Sequence, residues 1–235
     1  MRFFRRGGTR LTPTLSSLDA YALWAETYPP QAHNALMRAE EAAVLSLMPD
    51  VTGAAILDLA CGTGRYGRIA RERGAAYVTG IDNSLPMLRG NPLAERVQAT
   101  TERLPLRQAC MDGLICGLAL GHLPSLLPSF VEMARVLKPG GWGVVSDVHP
   151  FIALSGAQRT FRAQGATFAV EHYPHLYSAY VAAAYGAGLS IETVLEPALL
   201  PEDQHVASAG GTPVVIVYRF RKQGASDFRV RRGSG

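Results

Sequence analysis

Short apolar runs alternate with amphipathic stretches along most of this chain. The runs Ile56–Leu59, Tyr77–Ile81 and Gly113–Leu118 are too short for helices and are typical of buried strands. The segments 65–73 and 127–137 have helical spacing of their apolar residues. Strands and helices that alternate in this way predict an α/β fold with a doubly wound sheet.

The second half of the chain continues the pattern with one interruption. A strand is predicted at 142–147, a helix at 177–188, and two more strands at 191–195 and 213–220. The interruption is a run of strand formers between Thr160 and Val170 with Gly165 at its centre. This pattern predicts a β-hairpin inserted after the fifth strand of the sheet.

The region 18–50 is predicted to be helical and to be broken at Pro29 and Pro30. Its later part has an apolar face that Glu40 interrupts. Arginines dominate the helix at 65–73 and are expected to form a solvated face; they are Arg65, Arg68, Arg71 and Arg73.

A glycine turn follows the first of the buried strands. Gly62 and Gly64 allow backbone angles that a side chain would forbid, and they leave room for a ligand against the main chain. Gly67 lets the next helix pack closely on the strand, so the three glycines also satisfy the GxGxxG pattern of dinucleotide sites. The turn therefore predicts a nucleotide-type cradle.

Two carboxylates make the ligand more specific. Asp58 lies inside the strand that leads to the turn, and a carboxylate there suits an ammonium or amino group on the ligand. Asp82 ends the next strand, twenty residues after Gly62, where it can accept hydrogen bonds from two ribose hydroxyls. The two acids predict a nucleoside ligand.

Four sequence blocks together resemble the class I S-adenosylmethionine-dependent methyltransferases, of the type that includes many small-molecule enzymes. The blocks are LDLACGTG at 57–64, GIDNSLPML at 80–88, ERLPL at 102–106 and ARVLKPGGWGVVSDV at 134–148. The resemblance covers about residues 20–220. It implies a Rossmann-like sheet of seven strands whose last strand is antiparallel.

The resemblance also implies a cofactor and a set of residues around it. The cofactor would be S-adenosylmethionine, with S-adenosylhomocysteine as product. The residues expected to bind it are Tyr28, Asp58, Ala60, Gly62, Thr63, Gly64, Asp82, Asn83, Met87, Thr100, Thr101, Glu102 and Leu118. Thr100 and Thr101 stand where the family usually has an Asp for the adenine amino group, so backbone groups or a hydroxyl are expected to replace it.

The same resemblance divides the chain into parts. A single methyltransferase domain is expected at 18–220, between basic flexible tails at 1–17 and 221–235. Within the domain, residues 18–50 would form a lid in which Tyr21, Trp24 and Tyr28 line the ligand. Residues 151–175 would cap the acceptor.

Two histidines are the candidate catalytic residues. His122 and His149 follow strands that end at the ligand crevice, and a histidine with a near-neutral pKa can remove a proton from an acceptor hydroxyl. The competing interpretations are that His122 is a structural histidine at a helix start and that His149 pairs with Asp147. Glu171, His172 and His175 are of metal-ligand type, but no metal site is expected.

Charge is concentrated at the two ends of the chain. The net charge is +4, but residues 11–218 contain 13 basic and 18 acidic side chains. A mildly acidic body argues against a nucleic-acid substrate. No apolar run is long enough for a membrane helix, and the three cysteines have no disulfide or zinc spacing, so a reduced, cytoplasmic protein is expected.

Methyl transfer to a small, hydrophobic or natural-product-like acceptor is therefore the leading hypothesis, by in-line displacement that depends mainly on proximity. The alternative is a methyltransferase-like protein that binds S-adenosylmethionine without transferring methyl, as a regulator or as a cyclase or decarboxylase scaffold. An NAD-dependent oxidoreductase fits the glycines and Asp82 but not the later blocks. The acceptor, the methylated atom and the oligomeric state stay open.

Overall fold

The computed structural model describes residues 12–200, 203 and 211–224. Ten strands are described: β1 Thr14–Leu15, β2 Ala55–Leu59, β3 Tyr77–Asp82, β4 Glu95–Gln98, β5 Met111–Gly117, β6 Leu137–Val148, β7 Thr160–Ala163, β8 Ala166–Val170, β9 Leu189–Leu195 and β10 Val215–Lys222. The α-helices in this part of the chain are α1 Ser17–Trp24, α2 Ala35–Leu47, α3 Arg65–Glu72, α4 Leu85–Arg89, α5 Leu127–Val136, α6 Pro150–Leu154 and α7 Tyr177–Gly186.

The main sheet has seven strands in the order β4-β3-β2-β5-β6-β10-β9. Strands β2 to β6 are parallel to one another, and β10 is antiparallel to both β6 and β9. The doubly wound sheet with an antiparallel last strand is therefore confirmed. Its carboxyl edge carries the ends of β2, β3 and β5, where ligands bind in open α/β sheets.

Several element ends differ from the prediction, and two of these differences lengthen strands of the main sheet. Strand β6 begins at Leu137, so the KPGG segment lies within it, and its pairing with β5 is irregular between Met111 and Gly113. Strand β10 continues to Lys222, two residues into the predicted tail. Both differences reflect hydrogen bonding to a neighbouring strand, which extends a strand beyond its apolar run.

The predicted hairpin is present as β7 and β8, with Gly165 in the left-handed region of its turn. The expectation that 1–17 is a tail is wrong for residues 14–17. Strand β1 pairs in parallel with β8, and Ser17 begins α1, which Ser16 caps through its side chain. Residues 1–11 and 225–235 lie outside the described residues.

Both faces of the main sheet are covered by helices. One face holds an aromatic cluster in which Tyr180 of α7 stacks on Tyr218 of β10 and meets Phe130 of α5. The other face packs against α2 and α3. Within the described residues no helix is long and apolar enough to cross a membrane.

Candidate functional site

A cavity opens at the carboxyl ends of β2, β3 and β5. Two residues that follow these strands, Ala60 and Leu118, have left-handed backbone angles with φ of 53° and 55°. Such angles are uncommon for residues with a side chain and concentrate at functional sites. Both residues line the cavity, so the strained backbone faces the space that a ligand would occupy.

The glycine turn needs its glycines for two different reasons. Gly62 and Gly64 have positive φ values of 50° and 84°, and a Cβ on Gly64 would lie 2.4 Å from Oδ1 of Asn91. Gly67 has ordinary angles, but its Cβ would lie 2.4 Å from a methyl group of Leu93. The first two glycines shape the turn, and the third permits close packing of α3.

Asp82 joins the glycine turn to the start of α4. Its Oδ2 accepts a hydrogen bond from Gly62 N at 2.8 Å, and its Oδ1 accepts one from Ser84 N at 2.7 Å. Burial raises the pKa of Asp82, and the hydrogen bonds from these amides oppose the rise. Each oxygen still has a lone pair for a ligand hydroxyl, and the side chain lines the cavity.

The cavity brings together most of the residues expected to bind the cofactor. Those on its lining are Tyr28, Ala60, Gly62, Thr63, Asp82, Asn83, Met87, Thr100, Thr101, Glu102 and Leu118. The hydroxyl groups of Thr101 and Ser129 are hydrogen-bonded at 2.7 Å. The Thr100 hydroxyl is thus the better candidate to hydrogen-bond the adenine of a ligand.

Asp58 and Gly64 are not part of the lining. Asp58 is 2% exposed, and its Oδ2 accepts a hydrogen bond from Gly67 N at 2.7 Å. Burial raises its pKa to about 7, and this hydrogen bond partly offsets the rise. Asp58 therefore holds α3 against β2, and its expected contact with a ligand ammonium group finds no support in its position.

His122 does line the cavity, but it is a poor base. Its Nδ1 donates to the carbonyl oxygen of Glu171 at 2.8 Å, so Nε2 is the acceptor nitrogen. Arg159 and Tyr21 both approach Nε2, each at 3.3 Å. Burial, followed by the charge of Arg159, lowers the pKa of His122 to about 3. A ring that is neutral and already hydrogen-bonded does not supply strong base catalysis.

His149 lies away from the cavity, so its prediction as a residue that faces the acceptor is wrong. It caps α6 through Nδ1, which accepts from Phe151 N at 3.2 Å. Its Nε2 is 3.0 Å from Oε1 of Glu196 and 2.7 Å from the hydroxyl of Tyr177. The ring is fully buried by these contacts and serves the fold.

The pairing of His149 with Asp147 is also wrong. Asp147 accepts from the hydroxyl of Tyr180 at 2.6 Å and from Val148 N at 2.7 Å. Residues two apart share a face only while the strand continues. The chain leaves β6 at Val148, and His149 turns toward Glu196 instead.

Two arginines line the cavity that sequence reasoning did not identify as site residues. Arg65 is 9% exposed and donates to Oε2 of Glu40 at 2.6 Å, while Oε1 of Glu40 accepts from Ser146 at 2.5 Å. The expectation that Arg65 lies on a solvated face is wrong. The sequence did contain a signal for its burial, namely Glu40, which interrupts the apolar face of α2. Arg159 had no comparable signal, because its burial depends on the packing of α1 and the hairpin.

Residues 57–145 match the family model described as a methyltransferase domain. The malonyl-[acyl-carrier protein] O-methyltransferase of Pectobacterium atrosepticum is 34% identical over 140 residues, which are 54% of this chain and 55% of that protein. The demethylmenaquinone methyltransferase of Lactococcus lactis is 32% identical over 125 residues, 48% of this chain and 50% of that protein. The chain spans about half the length of the curated relatives it matches.

Solved structures agree with the fold. The structure of an S-adenosylmethionine dependent methyltransferase from Mesorhizobium loti superposes with a TM-score of 0.65 at 26% identity. The superposition covers 78% of this chain and 97% of the Mesorhizobium loti chain. The likeness covers more of the chain than the segment that the family model matches.

Proposed function

Because this chain carries a class I S-adenosylmethionine-dependent methyltransferase domain, we propose that it transfers the methyl group of S-adenosylmethionine to a small acceptor. The observation that carries the proposal is the cavity at the carboxyl edge of the sheet. There the glycine turn, Asp82 and the two strained residues Ala60 and Leu118 surround one space. S-adenosylhomocysteine is the expected product.

The cofactor residues have separate roles in this proposal. The main chain from Ala60 to Thr63 supports the amino-acid end of the cofactor, and Asp82 binds the ribose hydroxyls. Met87 and Thr100 lie against the adenine. Each of these residues lines the cavity, and Asp82 is fixed by two amide hydrogen bonds before any ligand arrives. Such preorganisation lowers the cost of binding.

Catalysis in this proposal depends on alignment rather than on a histidine base. The sulfonium already activates the methyl group, so holding the acceptor in line with it supplies most of the rate enhancement. His122 is neutral and hydrogen-bonded at the cavity wall, where it positions neighbouring groups. The acceptor therefore needs to reach the site as a nucleophile that ionises readily or carries a lone pair.

The acceptor class is not inherited from the relatives. The two relatives named above act, by their names, on a carrier-bound malonyl group and on a quinone, which are chemically unlike. Tyr21, Tyr28 and Leu123 give this cavity an aromatic and apolar wall, and Arg159 adds a cation. This combination favours a small acceptor that has both an apolar body and a polar end.

Calorimetry with S-adenosylhomocysteine and, in parallel, NAD tests the proposal. We expect the wild type to bind the first ligand and not the second. Asp82→Asn removes the carboxylate that accepts hydrogen bonds from the ribose hydroxyls, so it should weaken binding of S-adenosylhomocysteine roughly 10- to 100-fold. The matched control is Glu95→Gln, which neutralises an exposed carboxylate on β4. Equal affinity in both variants would refute the role of Asp82.

Turnover is a separate measurement. Wild-type protein is incubated with S-adenosylmethionine and a panel of carboxylic acids, phenols and quinols, and S-adenosylhomocysteine release is followed by mass spectrometry. An acceptor-dependent release supports methyl transfer. Tight binding of S-adenosylhomocysteine without any acceptor-dependent release would instead favour a protein that binds the cofactor without transferring methyl.

A further inference from the structure

Arg159 is a buried cation on the wall of the cavity. It immediately precedes β7 and is 6% exposed. Its side chain lines the same cavity as Asp82 and lies beside Tyr21, Leu118 and His122. Because Arg159 belongs to the 151–175 segment, it joins the hairpin to the cavity.

The donors on this guanidinium are only partly satisfied, and one of the groups that meets them is the Tyr21 hydroxyl. Its Nη1 donates to the carbonyl oxygen of Leu118 and to Nε2 of His122, each at 3.3 Å, which are long hydrogen bonds. Its Nε is buried and has no hydrogen-bond partner. Among the described residues no carboxylate lies within 4 Å of it, whereas Arg65, the other cavity arginine, is 2.6 Å from Glu40.

The aromatic neighbours compensate for only part of this burial. The guanidinium carbon lies 5.5 Å from the ring centroid of Tyr21 and 6.0 Å from that of Trp24. Cation–π contacts of this kind stabilise a charge weakly, and they do not use the N–H donors that lie in the guanidinium plane. A buried charge without an ionic partner is costly, so an anionic ligand that paired with Arg159 would be favoured.

His122 orients the Arg159 guanidinium at the cavity. Since Nδ1 of His122 donates to Glu171, its Nε2 accepts from Arg159 and orients the guanidinium. The Tyr21 hydroxyl reaches the same nitrogen. The planar donor fork of an arginine matches a carboxylate, which it can bind through two parallel hydrogen bonds.

We propose that Arg159 binds a carboxylate group of the methyl acceptor, an inference that rests on the proposed function. The glycine turn and Asp82 form the cofactor side of the cavity, and Arg65 begins α3 directly after that turn. Arg159 comes instead from the hairpin segment and contacts Leu118 at the end of β5. The acceptor is thus a small carboxylic acid whose apolar body lies against Tyr21 and Tyr28.

Binding of simple carboxylates to protein saturated with S-adenosylhomocysteine tests this assignment. The probes are acetate and phenylacetate, each paired with its neutral amide, and the readouts are calorimetry and thermal stabilisation. In the wild type at least one acid should bind more tightly than its amide. Arg159→Gln should weaken that binding roughly 10- to 100-fold. Arg159→Lys keeps the charge without the fork and should be intermediate.

The control is Arg68→Gln, which removes an exposed guanidinium that pairs with Glu72 on α3. It should leave carboxylate binding unchanged. Acids that bind no better than their amides in the wild type would overturn the proposal. So would equal acid binding by the wild type and Arg159→Gln, provided that variant still binds S-adenosylhomocysteine.

A second ligand pair distinguishes the acceptor from the cofactor as the source of the carboxylate. 5′-Methylthioadenosine shares the nucleoside and thioether of S-adenosylhomocysteine but has no amino-acid carboxylate. If Arg159→Gln weakens the binding of S-adenosylhomocysteine and leaves the binding of 5′-methylthioadenosine unchanged, Arg159 binds the cofactor's own carboxylate. The acceptor assignment is then wrong. A wild type that binds neither adenosyl ligand would overturn the proposed function itself, and this inference with it.

Discussion

Replacing Glu40 with glutamine removes the negative charge that lies nearest to Arg65, a buried arginine at the cavity. Glu40 is fully buried, and its two oxygens accept from Arg65 of α3 and Ser146 of β6. The amide of glutamine can satisfy one of these donors. Its NH₂ group would then face the other donor, so one hydrogen bond and the ion pair are both lost.

The structure sets the expected magnitude. Breaking a buried ion pair by removing one partner typically costs about 3–5 kcal/mol, because the remaining charge is uncompensated. Arg65 keeps Glu41 at 3.5 Å, which places Glu40→Gln near the lower end, at about 3 kcal/mol. The exposed pair of Arg68 and Glu72 offers a control, since Glu72→Gln should cost only about 0.3–0.5 kcal/mol.

Urea unfolding followed by circular dichroism measures the difference. With an m-value of about 2 kcal/mol/M, the midpoint of Glu40→Gln should fall by about 1.5 M and that of Glu72→Gln by less than about 0.3 M. An unchanged m-value would show that stability, not denatured-state compactness, has changed. Equal midpoints for the two variants would refute the reasoning that burial makes the Glu40 pair essential.

Three further predictions concern backbone strain and titration. Gly64→Ala should destabilise the protein by about 2 kcal/mol and Gly53→Ala by about 1 kcal/mol, as measured by thermal denaturation. Both positions have positive φ, but only at Gly64 would a Cβ lie against Asn91. Equal losses of stability would contradict this prediction. Asp58 has a folded pKa of about 7 against an ordinary 3.8, so it stabilises the fold below about pH 4 and that stabilisation is lost as pH rises through 7. In Asp58→Asn the free energy of unfolding measured in urea should fall less between pH 5 and 8 than in the wild type. An equal fall in both proteins would contradict this prediction. His122 should show no ring titration by NMR between pH 5 and 8, because its pKa is about 3, and a midpoint near 6.5 would disprove its enclosed, neutral state.

Local features of the chain were enough to predict the main sheet and much of the site. Apolar runs of strand length alternate with helical spacing, and a glycine turn follows the first strand. In a doubly wound sheet the residues after consecutive parallel strands meet at one edge. Gly62, Asp82 and Leu118 therefore share a cavity although they are far apart in the chain. This part of the site follows from topology, which the order of elements encodes.

Histidine roles, by contrast, depended on contacts that no local pattern encodes. His122 and His149 both follow strands at the same edge, yet one lines the cavity and the other is buried against Glu196. The difference arises because the chain turns into α6 directly after β6, and His149 becomes the cap of that helix. Position after a strand predicts proximity to the crevice but not the direction of a side chain.

The doubly wound fold, the glycine turn and the acid at the end of β3 can be predicted from the sequence, because each rests on backbone geometry or on periodicity within a few residues. Which charges are buried depends on contacts between distant segments. Arg65 and Arg68 are three residues apart on one helix, yet the first pairs with Glu40 inside the protein and the second with Glu72 at the surface. Arg159 is a buried cation with no carboxylate partner among the described residues, because α1 and the hairpin pack around it. The energy of a charge depends on what surrounds it in three dimensions, and segments far apart in the chain supply those surroundings.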